Sequence, residues 1–161
     1  MQNLLSSYNL MGVINRTPNS FSDGGLFLEK KALRERLDLI FSSSNIIADI
    51  GFESTAPTNQ AITAELEWER FLLFLEETKD FNFKGRIISF DTYRPLQFLK
   101  MSSAWWNIHP ETVLTLNDVS GVLESDDDEL TIALKKLKQI SRPFFYIYNF
   151  THIPSRDNIL N

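Results

Sequence analysis

The 161-residue chain contains no cysteine, which excludes a disulfide framework and thiol catalysis. Glycine and proline are scarce, at six each, so collagen-like and low-complexity disordered readings fail. The first fifteen residues hold no lysine or arginine, and the longest apolar stretch among them is Leu10–Ile14. That is far below the about 20 residues of a membrane span and too short for the core of a secretory signal. No membrane partner is expected, and the cytoplasm is the default compartment. Positive charge is not in excess either. Sixteen basic against 21 acidic side chains leave a net charge of −5, which argues against a nucleic-acid partner. What is present is a globular composition, 43% hydrophobic, with length for one domain and a real core. That length falls short of the about 250 residues of a complete (β/α)8 barrel.

Five short apolar or β-branched runs, each bounded by turn or polar residues, read as strands: Leu10–Ile14, Ile46–Ile50, Arg86–Phe90, Thr112–Leu116 and Phe144–Tyr148. Between them lie helical stripes. Leu33, Leu37, Ile40 and Phe41 share one face, as do Trp68, Phe71, Leu72 and Leu75, and later Leu130, Leu134 and Leu137. A shorter helix is expected from Pro95, well suited to a first turn, to Ser102. The strand centres Val13, Ile47, Ile88, Leu114 and Ile147 are 34, 41, 26 and 33 residues apart, the spacing of βαβ units. Such repetition builds either an open doubly wound sheet or part of a (β/α)8 barrel. Periodicity alone leaves that choice open.

Residues capable of chemistry gather just after these strands. Asn15 to Gly25 form a long polar loop containing one aromatic, Phe21. Asp49 and Gly51 to Pro57 follow strand two, Asp91-Thr92 strand three, Asn117 to Gly121 strand four, and Asn149 strand five. In α/β proteins ligands bind at that edge. The same residue types also dominate functionless turns and helix caps. The first loop exceeds what a βα connection requires, which favours function there.

These segments carry a family resemblance. Met11-Gly12-Val13-Ile14-Asn15-Arg16-Thr17-Pro18-Asn19-Ser20-Phe21-Ser22-Asp23-Gly24-Gly25 resembles the first signature of dihydropteroate synthases, MGILNVTPDSFSDGG. Gly51-Phe52-Glu53-Ser54-Thr55-Ala56-Pro57 is similar to the family's GGESTRPG, Ser89-Phe90-Asp91-Thr92-Tyr93 to SIDTY, and Leu116-Asn117-Asp118-Val119-Ser120-Gly121 to INDVSG. All four occur in family order. The resemblance implies an α/β fold, a partial (β/α)8 TIM barrel of about five βα units, completed by a partner chain or by dimerisation. It implies a transferase of folate biosynthesis that condenses hydroxymethyl-dihydropterin diphosphate with p-aminobenzoate and releases diphosphate, with Mg2+ as cofactor.

Residue by residue, Asn15 matches the Mg2+-ligating asparagine and Asp23 the loop aspartate that supports a cationic intermediate. These two are the expected catalytic residues. Asp91 and Asn117 match pterin-binding residues, and Val119 an apolar wall beneath the ring. Thr55 matches a residue near the anion, and Phe21 and Pro57 match residues packed around the aminobenzoate. The sequence also departs from the pattern. Asn19 stands for Asp, Ala56 for Arg, Phe52 for Gly, Asn149 for His, and Arg16, expected to point to solvent, for an apolar residue. The chain stops at Asn161, ahead of the family's later aspartate, lysine and Arg-x-His pair, so weak activity or none is expected of it alone. The alternative is a non-catalytic pterin-binding or partner module. A pterin-dependent methyltransferase shares the barrel but fits the first loop less well.

Other features have plain readings. Glu124–Glu129 is a capped, acidic helix start. Trp105 and Trp106 are packing residues. His109 and His152 are structural. The whole of 1–161 reads as one truncated domain, with 150–161 as a disordered tail lacking any helical stripe.

Overall fold

In the computed structural model, the described residues are 10–18, 25, 28–54, 60–92, 94–118, 136, 139 and 144–148. The elements are β1 (Leu10–Asn15), α1 (Lys30–Phe41), β2 (Ile46–Gly51), α2 (Ala64–Thr78), β3 (Ile87–Asp91), α3 (Pro95–Ile108), β4 (Val113–Asp118) and β5 (Phe144–Tyr148). All five strands are parallel and lie side by side in chain order. A doubly wound sheet would reverse its strand order part-way. This one does not reverse, and it is a segment of barrel.

The strands alternate. Ile14, Ala48, Ile50, Ile88, Phe90 and Leu114 are buried in one core cluster with side chains from all three of these helices. The helices therefore cover a single face. Leu33, Leu37, Ile40 and Phe41 bury the expected stripe of α1. Strand β1 meets this helix closely: a Cβ placed on Gly12 would lie 2.5 Å from Ile40 Cγ1. Only glycine lets the two approach so far.

Helix α2 begins with Thr63, whose side chain accepts from the Leu66 amide, and Glu65 and Glu67 in the first turn suit the positive end of the helix dipole. Its buried face is Glu67, Phe71, Phe74, Leu75 and Thr78. Leu72, expected inside, is exposed. Helix α3 starts at Pro95 as expected but runs six residues past Ser102, to Ile108. The extension places Trp105 and Trp106 in the core. Phe74 stacks on Trp105 with ring centroids 5.8 Å apart. Phe52, which stands where the family has glycine, fills the core edge-on to Phe71 and Phe74.

Strand β1 is an edge among the described residues. The Arg16 amide donates to the Gly51 carbonyl at 2.7 Å, so alternate residues of β1, including Val13, turn their backbone groups away from β2. Arg36 of α1 donates to that outward Val13 carbonyl from Nε at 3.3 Å and from Nη2 at 3.2 Å.

Candidate functional site at the C-terminal ends of the strands

The strand register builds the site. Asn15 lies opposite Gly51, Gly51 opposite Asp91, and Asp91 opposite Asn117. Four strands thus deliver their last or near-last residues to one row at the C-terminal edge, on the face the helices do not cover. Gly51 keeps the row open. A Cβ there would come within 3.2 Å of Asn15 Oδ1 and 3.9 Å of Asp91 Oδ2, so the amide and the carboxylate both lean over the bare glycine. The next row down is Val13, Asp49, Ser89 and Thr115, of which the last three are buried. The resemblance did not single out these three. Their signal was the period-two placement of a polar residue within each otherwise apolar strand.

Of the expected site residues, Asn15 and Asp91 are brought together by the fold, and Asn117 joins them in the backbone register. Phe21, Asp23, Thr55, Pro57 and Val119 lie outside the described residues. So do Asn19, Ala56, Asn149, His152, the 124–129 segment and the 150–161 tail.

Charged side chains next to the row are held by partners. Arg16 does not point to solvent. It is 2% exposed, and its Nη2 meets Glu77 Oε2 on α2 at 2.6 Å. Burial pushes its guanidinium below the ordinary value, opposed by Glu77. Arg94, which follows β3, donates to Glu53 Oε2 at 2.6 Å, to Glu67 Oε2 at 2.8 Å and to the Ile62 carbonyl. Glu53 Oε1 accepts the Ile62 amide at 2.9 Å. Arg70 donates to the Phe52 carbonyl at 2.6 Å. Burial raises Glu67 above the usual carboxylate range, with Thr92 and Arg94 working against it. Glu67 and Arg94 were not singled out in the sequence, and Glu53 only as part of its motif, without a role. The available sign was a glutamate within the apolar face of α2, which demands a buried partner.

Among the described residues no group of three or more His, Cys, Asp or Glu side chains could hold a metal by itself. Nor is any described helix long and apolar enough to cross a membrane. A cleft lined by Phe83, Lys84, His109 and Glu111 sits at the opposite end of the strands and shares no residue with the row.

A family model described as "Pterin binding enzyme" matches residues 11–138. The chain belongs to this pterin binding enzyme family. Among relatives, it is 40% identical over 85 residues to the mitochondrial folate synthesis bifunctional protein of Pisum sativum, covering 52% of this chain and 16% of that protein. It is 35% identical over 85 residues to the dihydropteroate synthase of Streptococcus pyogenes, covering 53% and 31%. Its fold matches the dihydropteroate synthase of Yersinia pestis, solved with a sulfonamide drug complex, with a TM-score of 0.61 and 24% identity over 88% of this chain and 46% of that one. This pterin binding family member thus spans less than a third of these two relatives and about half of the solved structure.

Proposed function

We propose that the chain is a dihydropteroate synthase-like transferase of folate biosynthesis, which holds hydroxymethyl-dihydropterin diphosphate and joins it to p-aminobenzoate with loss of diphosphate. The observation that carries this reading is the row Asn15–Gly51–Asp91–Asn117 at the C-terminal edge, in a member of the pterin binding family. This reading assigns Asp91 and Asn117 to the pterin edge, whose polar groups would be costly to bury unpaired. By the family resemblance, it assigns Val119 to apolar contact with the ring, Thr55 to the anion, and Phe21 and Pro57 to the aminobenzoate.

The site fits Mg2+ in its donor chemistry. Asn15 offers a hard amide oxygen over the space that Gly51 leaves open, and Mg2+ commonly takes few protein ligands beside substrate phosphate. When bound, the ion supplies positive charge against the leaving diphosphate. The carboxylate of Asp23 favours positive charge developing on the pterin methylene. The aminobenzoate nitrogen is the nucleophile, so no enzyme nucleophile is required. The compartment proposed is the cytoplasm.

As a 161-residue chain the protein turns over weakly or not at all. Its five described strands do not close on themselves, and a second chain or a homodimer completes the barrel in this reading. One observation favours the alternative, a non-catalytic pterin-binding module. Arg16 and Arg94, the arginines that follow β1 and β3, are both engaged by carboxylates and so are committed away from an anion.

Incubation of the purified chain with Mg2+, the pterin diphosphate and p-aminobenzoate is expected to give at most slow product formation; robust dihydropteroate synthesis overturns the expectation of weakness. Calorimetry is expected to show pterin diphosphate binding that Asp91→Ala weakens about tenfold or more. The same affinity in both proteins overturns the pterin site.

A further inference from the structure

Among the described residues, the sheet face that the helices do not cover is built in layers. At the N-terminal end it is apolar: Met11 lies opposite Ile47, and Ile87 opposite Val113, and both isoleucines are buried. At the C-terminal end is the row Asn15, Gly51, Asp91 and Asn117. Between them lie Asp49, Ser89 and Thr115, all three buried. Interior layers of barrels of this kind are ordinarily filled by bulky branched apolar side chains. This layer instead holds a carboxylate and two short hydroxyls, with an apolar layer directly below. The Thr115 hydroxyl donates to the Ile88 carbonyl at 3.4 Å. Ser89 is 0% exposed, and its hydroxyl has no hydrogen-bond partner among the described residues. A buried hydroxyl without a partner costs stability, and an alanine in its place would relieve that cost.

We propose that Ser89 is a specificity-determining residue of the pterin site, its hydroxyl hydrogen-bonding the innermost polar edge of a ring held at Asp91. The inference rests on the pterin half of the function proposed above; it involves neither metal, diphosphate nor aminobenzoate. Ser89 and Asp91 lie two residues apart on β3, so their side chains share a face and are separated by about 6.6 Å along the strand. A fused two-ring heterocycle standing along the strands covers that distance. A pterin carries donors and acceptors around its ring, and each one buried without a partner weakens binding. A serine hydroxyl both donates and accepts, so it meets either kind of group, while the apolar layer beneath closes the floor. A hydrocarbon ring of the same shape would leave the hydroxyl unpartnered, so the floor favours the heterocycle.

Calorimetry on the 161-residue chain with hydroxymethyl-dihydropterin, which lacks the diphosphate, and without Mg2+ reads this contact. Ser89→Ala is expected to weaken binding about fivefold or more, while thermal melting without ligand gives a Tm equal to or above that of wild type. A merely structural serine would do the reverse, with stability lost or affinity unmoved. Ser89→Cys fills nearly the same space with a much weaker hydrogen-bonding group and is expected to lose as much affinity as the alanine variant, which separates loss of the hydroxyl from loss of volume. A smaller loss of affinity in Ser89→Ala, a fall in its Tm or a failure to fold, or recovery of affinity in Ser89→Cys overturns the inference. Weakened binding in Asp91→Ala with none in Ser89→Ala strikes down the role of Ser89 alone. A wild-type chain that does not bind the pterin alcohol overturns the proposed function and this inference with it.

Discussion

Arg16 and His109 are polar side chains that this fold buries under opposite terms. Arg16 has an ion-pair partner, Glu77, 61 residues away. His109 is 7% exposed, packs against Trp105 and Phe83 with ring centroids 4.4 and 4.8 Å away, and its Nε2 has no hydrogen-bond partner among the described residues. Burial lowers the imidazole's affinity for a proton. The unfolded chain takes up that proton near pH 6.5 and the native one only at lower pH. The contribution to stability is therefore complete above about pH 6.5 and lost as pH falls from there through the lowered native value. His109→Phe is expected to flatten the decline in Tm between about pH 7 and pH 5. Equal slopes in the two proteins, measured by thermal melting, would count against it.

At the scale of elements, legibility followed the source of the information. Strands β1 to β5 were readable because each apolar run is short and bounded, and their bounds moved by no more than two residues. Asn15, Asp91 and Asn117 were named from their motifs, and the register puts them in one row. Two things were not readable. The face of α2 is set by what Arg94 brings to Glu67, so Glu67 and Phe74 lie inside while Leu72 lies out. Arg16 turns inward because of Glu77, and no local pattern announces a partner on another element. The fit of α1 on β1 is testable in the same terms. Gly12→Ala sets its new methyl 2.5 Å from Ile40 Cγ1 and is expected to cost about 1–3 kcal/mol. Ile40→Ala removes the clash, so urea unfolding of the double variant is expected to show less loss than the sum of the single variants, by about 1 kcal/mol. Strict additivity would mean that the close approach is not what glycine is needed for.

For the whole molecule, the feature that bears on association is the outer flank of β1, an edge among the described residues. A strand edge is a template for pairing with another chain, and Arg36 occupies the Val13 carbonyl that such pairing would use. Arg36→Ala is expected to shift the chain toward larger species in sedimentation velocity at matched concentration. An unchanged distribution would show that the arginine does not guard the edge. The sequential strand order has a further bearing, on synthesis. Among the described residues each strand pairs only with its neighbours in the chain, and the widest register separation there is that of Ala48 and Ile88. A ribosome adding roughly 5–20 residues per second covers that span within several seconds. Each new strand therefore emerges to find its partner already made, and the nascent chain can grow its sheet by accretion.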